Sequence, residues 1–213
     1  MEKTYAVDTY GVSNRNEASE YHPTQWRELY KQDIARYKSH RMNRPLLMIL
    51  LTEQGLWALL QYRIASAIYR SDLPYLSKAP LLLLSVVWLK LIEITTGISI
   101  PCQALIGPGF YIGHFGNIFI GEDAIIGHSC NISQGVTIGV SGRGQKRGVP
   151  HIGNRVYIAA NAVVVGKISV GDDAVIAANS LVTTDVAPHT TVMGVPAQFK
   201  SNHGSETYLN PTL

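Results

Sequence analysis

Between residues 100 and 183 an aliphatic residue returns at every sixth position, a period that neither an α-helix nor an ordinary pleated strand produces. The run is Ile100, Ile106, Ile112 and Ile118, then Ile120, Ile126, Ile132 and Ile138, then Ile152, Ile158, Val164, Val170, Ile176 and Val182. In ten of these fourteen cases the next residue is Gly, Ala or Ser, which suits a chain that turns tightly beside each inward-pointing side chain. A second inward position lies four residues on and is filled by Ala124, Cys130, Val136, Val156, Ala162, Ile168, Ala174 and Ser180, so small and large side chains alternate inside. A hexad is too short to bury its own face and must stack on its neighbours. The pattern therefore predicts a parallel β-helix with three hexads per coil and coils about 4.8 Å apart. A sandwich of ordinary strands would instead alternate with period two and turn at irregular spacing.

Upstream, from Gln25 to about Thr96, the period is that of helices, with Trp57, Leu60, Ile64 and Ile68 on one stripe. Pro45 and Pro80 stand where helices would begin and Pro74 where two would separate, giving three helices near 25–40, 45–70 and 79–96. The fold class is thus α+β: residues 1–24 a polar, loosely ordered arm, 25–98 a helical region, 99–198 the β-helix and 199–213 an aperiodic tail. The segment Leu81 to Leu89 is the most apolar in the chain. Lys90 and Glu93 follow it at once, short of the roughly 20 apolar residues a bilayer span needs. It reads as a helix packed on the coil or on a partner subunit, with a peripheral membrane contact as the sharper alternative. The first 24 residues lack the apolar core of a cleavable signal peptide. Cys102 and Cys130 form no CxxC and no disulfide framework, which suits a reducing cytoplasm. A formal charge of +3 is too small to argue for a nucleic-acid partner.

Two interruptions of the hexads carry the chemistry. From Ile112 to Ile120 the step is eight, so two extra residues enter around His114-Phe115-Gly116-Asn117. From Ile138 to Ile152 there are fourteen residues, two more than two hexads, in a stretch that ends in His151. A stacked coil accommodates extra residues by bulging them outwards, and protruding loops on a rigid scaffold are where functional groups are placed. Arg143, Lys146 and Arg147 make the second loop basic enough to steer an anionic ligand. His114, His128 and His151 lack the spacing of a zinc motif, so no metal is expected.

The stretch GFYIGHFGNIFIGEDAIIGHSCNISQGVTIG, the loop ending in PHIG, the closing VMGVPA and QYRI at 61–64 resemble the left-handed β-helix acyltransferases, and within them the serine acetyltransferase family. The resemblance covers about residues 33–200. It implies a left-handed coil, against the usual right-handed crossover, a homotrimer open to pairing with a second trimer, and acetyl-CoA as co-substrate, held in a groove between adjacent coils so that two subunits share each site. By the same match Gly139, Ala160 and Ala178 would line the groove, and the Gly194-Val195-Pro196 turn and Lys200 would close it near the nucleotide end.

Moving an acetyl group from a thioester to a hydroxyl needs a base that works near neutral pH, and imidazole is suited to that. His114 is the candidate base and His151 the group that holds the acceptor or assists the proton. The turn at Gly139-Val140 is the candidate source of a backbone N–H for the oxyanion. The family has a carboxylate next to the catalytic histidine, where this chain has Gly113, and another just before the first hexad, where it has Ser99, which is left to orient the ring more weakly. A further Asp-Pro in the family's helical part has no counterpart around His40-Arg41. An ammonium group binds best beside a carboxylate. The losses therefore favour a saccharide acceptor of the kind met in polysaccharide biosynthesis, with serine O-acetylation as the alternative and a non-catalytic trimeric scaffold as a second one. The family's C-terminal tail, ending in isoleucine, docks into a sulfhydrylase; here the end is Asn210-Pro211-Thr212-Leu213, so no stable sulfhydrylase complex is expected.

Overall fold

A parallel coil built from hexads has an open end, because nothing lies beneath its first turn to take up that turn's backbone groups. In this chain the helical region fills that place. The computed structural model describes residues 25–209.

The hexads fold into short strands on three faces of a left-handed prism. The first face stacks β1 (Ile98–Ser99), β4 (Ile118–Ile120), β7 (Thr137–Gly139), β10 (Val163–Val165) and β13 (Leu181–Val182). The second stacks β2 (Leu105–Ile106), β5 (Ile125–Ile126), β8 (His151–Ile152) and β11 (Ser169–Val170). The third stacks β3 (Tyr111–Ile112), β6 (Asn131–Ile132), β9 (Tyr157–Ile158), β12 (Val175–Ile176) and β14 (Thr191–Gly194), with β15 (Ala197–Ser201) folded back antiparallel on β14. Phe119 pairs with Thr137 and Val163 with Leu181, three hexads on. Leu105 pairs with Ile125, two residues more, and Ile125 with His151, eight more. The stretch after Ile138, expected as two hexads and a small bulge, is therefore a single connection carrying all eight extra residues, because β7 feeds straight into β8. Ile118 belongs with Ile98, Val136, Ala162 and Ser180 in the second inward row, opposite Ile100, Ile120, Ile138, Val164 and Val182 in the first. Both rows are buried along their whole length.

Upstream lie α1 (Trp26–His40), α2 (Leu46–Thr52), α3 (Gln54–Arg70) and α4 (Tyr75–Thr96). The helix expected over 45–70 is broken at Glu53, whose backbone is extended and whose buried carboxylate accepts a bond from Arg41 Nε at 3.0 Å. Holding that carboxylate against Arg41 takes precedence over helical continuity. Pro74, not Pro80, opens α4: the amides of Ser77 and Lys78 bond to the Pro74 carbonyl at 3.0 and 2.9 Å, and Pro80 lies inside the helix. Gly97 ends α4 in the left-handed region at φ +65°, and its amide reaches back to Glu93.

The bonds that close the first coil are made by side chains. Tyr37 Oη donates to Ile112 O at 3.0 Å and accepts from Ile112 N at 3.1 Å; Tyr62 Oη donates to Ala104 O at 2.8 Å and accepts from Ile106 N at 3.0 Å. Arg63 donates to Ile106 O and Gly107 O at 2.6 and 2.7 Å, and Asp33 accepts from Phe110 N at 2.9 Å. Arg63 and Asp33 meet in a fully buried two-pronged pair at 2.9 and 3.0 Å. Each groups its charge with the other's and with backbone dipoles of the coil, the arrangement that lets a buried pair persist.

At the other end the tail is docked where no order was expected. After β15 the Ser205 amide bonds to Asp173 O at 2.9 Å, and in α5 (Glu206–Leu209) Tyr208 stacks on Tyr157 with ring centroids 4.7 Å apart while Leu209 is buried. The arm at 1–24 and the terminal Asn210–Leu213, on which the sulfhydrylase argument rested, lie outside the described residues.

The apolar stretch at 81–89 also extends further than expected. It sits inside a 22-residue α4 whose most apolar 18-residue window has mean hydropathy 1.7 and is 17% buried, so length and composition alone would let this helix cross a membrane, as they would a core helix. Its inner side packs on α3, where Gln61 Nε2 donates to Ser85 O at 3.1 Å; Leu76, Leu83, Leu84, Val87, Leu91 and Ile94 face outward.

Removing one member of the Arg63–Asp33 pair leaves a buried carboxylate without its partner and two coil carbonyls without donors. Arg63→Met is expected to cost about 3–5 kcal/mol of unfolding free energy, read as a lower urea midpoint. An unchanged midpoint would show that the helices do not hold the coil's end.

Candidate active site

The strands are so short that every residue with chemistry sits near one of the prism's three edges, and the edges sort the candidates. Along the edge between the third and first faces run the His114 bulge, Gln134-Gly135, Ala160-Asn161, Ala178-Asn179 and the β14–β15 turn with Pro196. They form a continuous ladder: Gly135 N donates to Gly116 O, Asn161 N to Gln134 O and Asn179 N to Ala160 O, each at 2.9 Å. Gly194 N then donates to Ser180 Oγ at 3.2 Å. Asn117, Gly135, Asn161 and Asn179 all hold left-handed backbone, φ 53 to 72°. Asparagine and glycine are the residues that tolerate this, which is why the edge is written in them. Small Ala160 and Ala178 leave the ladder open to a long ligand lying along it. Lys200 lies exposed on β15, the strand that follows this turn.

His114 is exposed at the lower end of this ladder, and its ring has no hydrogen-bond partner among the described residues of the single chain. Phe115 beside it is also exposed.

The edge between the first and second faces carries the other candidates. Beyond β7 the loop 140–150 is pinned as a small hairpin by two bonds between Ser141 and Gly148, at 3.0 and 3.1 Å, with Gly142 and Gly144 supplying positive φ. Val140 is exposed on it; the carbonyl of Gly139 accepts from Gly166 N at 3.2 Å. His151 does not stand on the loop. It is the first residue of β8, half-buried, paired with Ile125 below and Ser169 above, and its amide donates to Ile168 O. The sequence places both histidines at irregularities, but the fold puts those irregularities on different edges with the first face between them. A strand of three residues spans about 10 Å, so one chain does not bring His114 together with Val140 and His151.

Ser99, expected to orient the His114 ring, donates its hydroxyl to Glu93 Oε1 at 2.7 Å, and Lys90 Nζ holds Oε2 of the same carboxylate at 2.6 Å. Partial burial works to raise the pKa of Glu93, but Lys90 and Ser99 outweigh it and hold the carboxyl below its usual range. Sequence reading misses Glu93 because the contact crosses the helix–strand joint at Gly97, and no motif spacing marks it.

On the remaining edge, Asp173, His189 and Glu206 present ligand atoms within 4.8 Å of one another. Arg155 already grips both Asp173 oxygens at 2.7 and 2.6 Å, and His189 lies 3.5 Å from Asp173 and 3.3 Å from Glu206. Through the contact of His189 with Glu206 at 3.3 Å the cluster fastens the tail to the coil, in a place remote from the ladder.

A parallel prism of hexads with an open ladder of small residues, ending at an exposed histidine, defines a hexapeptide-repeat acyltransferase. Residues 150–184 match the family described as bacterial transferase hexapeptide (six repeats). Over 150 residues the chain is 38% identical to the serine acetyltransferase of Helicobacter pylori strain J99, covering 70% of this chain and 83% of that one. Over 152 residues it is 37% identical to that of Synechococcus elongatus, covering 71% of this chain but only 59% of the cyanobacterial protein. In three dimensions it is similar to the Brucella abortus serine acetyltransferase solved with coenzyme A, with TM-score 0.73, 26% identity, and coverage of 89% and 72% of the two chains. The Neisseria gonorrhoeae enzyme solved with serine gives 0.72, 30%, 87% and 72%. The chain belongs to the serine acetyltransferase family, whose members are acetyl-CoA-dependent acyltransferases.

These relatives overturn the assignment to polysaccharide biosynthesis and a saccharide acceptor, since each is a serine acetyltransferase. The expectation that no sulfhydrylase complex forms rested on the same separation from the family and falls with it. The saccharide assignment rested on the absence of carboxylates from two sequence positions; in the fold one of those positions, Ser99, is hydrogen-bonded to a carboxylate from α4, Glu93.

Two substitutions check the placement of the histidines. His114→Ala is expected to leave acetyl-CoA affinity intact and lower kcat by a factor on the order of 100 or more, measured as CoA release. His151→Ala should raise the acceptor's KM or lower kcat without weakening acetyl-CoA binding; a loss confined to acetyl-CoA affinity would move His151 to the cofactor site.

Proposed function

We propose that this chain transfers the acetyl group of acetyl-CoA to the hydroxyl of serine. The observation that carries the reading is 38% identity to a serine acetyltransferase over 83% of that enzyme's length, together with the edge ladder that ends at His114.

On this reading the pantetheine arm lies along the third–first edge, past Ala178 and Ala160, with Pro196 and Lys200 at its nucleotide end and the thioester beside the His114 bulge. His114 takes the proton of the serine hydroxyl as its oxygen attacks the thioester carbonyl. The oxyanion is met by a backbone N–H at Gly139-Val140. As the C–S bond breaks, the imidazolium returns its proton to the departing CoA sulfur. His114 lies on one edge, and Val140 and His151 on another. The site is complete only where the third–first edge of one subunit meets the first–second edge of the next, which a threefold assembly provides for all three copies at once. Arg143 and Arg147 on the protruding loop then face the groove of the neighbouring subunit and attract its phosphates.

We place the protein in the cytoplasm, where reduced thiols such as Cys102 and Cys130 persist. A peripheral membrane contact has only the exposed apolar face of α4 behind it.

The decisive assay is CoA release from acetyl-CoA with serine and, separately, with a panel of sugars. Serine-dependent release that saturates, with sugars at the hydrolysis background, is the expected result. Release with sugars and none with serine would overturn the reading.

A further inference from the structure

The geometry points to Glu93 as a positioning residue of the acetyl-transfer site, acting through Ser99 and the joint at Gly97 on the His114 bulge. This rests on the role proposed above for His114.

Three observations meet at this joint. The first is that the bulge leans on it. Ile118 N, just past the bulge, donates to Gly97 O at 2.9 Å. A Cβ added to Gly97 would lie 3.0 Å from Asn117 N and 3.1 Å from Gly116 Cα. The bulge backbone therefore sits directly against the turn that joins α4 to β1. The second concerns direction. Ile98 and Ile100 point into the prism and Ser99 points out, as does its register partner Phe119 on β4. Ser99 thus stands on the outer surface beside the strand that leaves the bulge. The third is charge. Of the elements that meet the bulge, α4, β1, β3 and β4, only α4 carries an acidic residue, and it is Glu93. That carboxylate is held by Ser99 at 2.7 Å and Lys90 at 2.6 Å.

An ion pair at i, i+3 on an exposed helix would serve as well with any carboxylate on the surface. Glu93 instead divides its two oxygens, one to Lys90 and one across the joint to Ser99. The second bond locks the outward rotamer of Ser99 with its proton directed at the carboxylate. The lone pairs of that oxygen are left to accept from another donor. An imidazole that takes a proton during acetyl transfer becomes a cation, and a fixed anion behind an accepting hydroxyl favours that cation. The His114 ring, unpartnered within the described residues of the single chain, has its orientation supplied from this side when acceptor and acetyl-CoA are in place.

The test uses the full-length protein and follows CoA release against pH for four variants: Glu93→Gln, Ser99→Ala, the double variant, and Glu28→Gln as a control. Glu93→Gln keeps a side chain of the same shape and removes the charge. It should lower kcat at least several-fold with the KM for acetyl-CoA unchanged. It should also move the acid limb of the kcat/KM profile to lower pH, because an imidazolium that has lost a nearby anion gives up its proton more readily. Ser99→Ala should reproduce the loss in kcat, and the double variant should be no worse than the more damaged single one, as for groups that act in series. Glu28→Gln, which removes the carboxylate of another exposed i, i+3 pair, with Lys31 on α1, should behave as the parent.

A Glu93→Gln protein with the parent's plateau and acid limb would overturn the proposal, as would a Glu28→Gln protein with the same loss as Glu93→Gln. If Glu93→Gln does not fold, Glu93→Asp and Ser99→Ala decide: a shifted limb in either supports the proposal, and parental limbs in both overturn it. His114→Ala separates this from the underlying reading. If it turns over normally, the base assignment fails and this proposal with it. If it is inactive while Glu93→Gln is parental, the base stands and only the role of Glu93 is lost.

Discussion

The fold depends on satisfying a row of backbone groups that no coil covers. Every later turn of the prism donates its amides to, or accepts from, a neighbour one step away, but the groups of Ala104, Ile106, Gly107, Phe110 and Ile112 that face away from the second turn have no such neighbour. An unpaired buried peptide group costs about 1–3 kcal/mol, so leaving this row bare would outweigh much of a domain's net stability. Tyr37, Tyr62, Arg63 and Asp33 take it up from α1 and α3. The helical region is therefore the missing turn rewritten in side chains. Its one fully buried ion pair is explained as part of that surface, not as a separate source of stability.

The same logic of edges governs the site. Because the strands from β1 to β13 have only two or three residues, most candidate groups lie at or beside an edge, and each edge takes a distinct task. The edge between the second and third faces fastens the tail through Arg155, Asp173, His189 and Ser205. The third–first edge presents a groove of small residues. The first–second edge carries the hairpin at 140–150. On the reading proposed here, placing cofactor groove and loop on separate edges leaves a single chain incomplete and ties activity to assembly without any residue dedicated to regulation.

Much of this was legible in the sequence, for physical reasons that differ by region. The hexad period fixed the inward rows, because a side chain enclosed on a prism axis has no alternative environment; Cys130, Val136 and Ser180 lie where the period puts them. The bulge at His114 was legible because two surplus residues break a strict count. What the count could not supply was the path: fourteen residues between Ile138 and Ile152 are compatible with two short hexads or one long connection, and only pairing of Ile125 with His151 decides. The helical region was read less well, since Glu53 is held by Arg41 at the end of α1 and Pro80 is carried inside α4 and does not open it. The contact of Glu93 with Ser99 was invisible because it crosses the joint between α4 and β1. A carboxylate can enter a site from a neighbouring helix, and a motif records only what is adjacent in the chain.

The regular stacking has one further consequence. On the reading proposed here, the ladder runs from His114, between the first and second turns, to Pro196 beyond the last, in steps of about 4.8 Å. The prism is in that respect a measuring stick. The arm of acetyl-CoA has a limited reach from thioester to nucleotide, so on that reading a turn inserted or lost between these two points would move the nucleotide contacts one whole step relative to the reacting carbon. Loops may lengthen freely at any edge, as the hairpin at 140–150 does, because they do not alter that distance. On that reading the number of turns between His114 and Pro196 is held within limits by the reach of the cofactor.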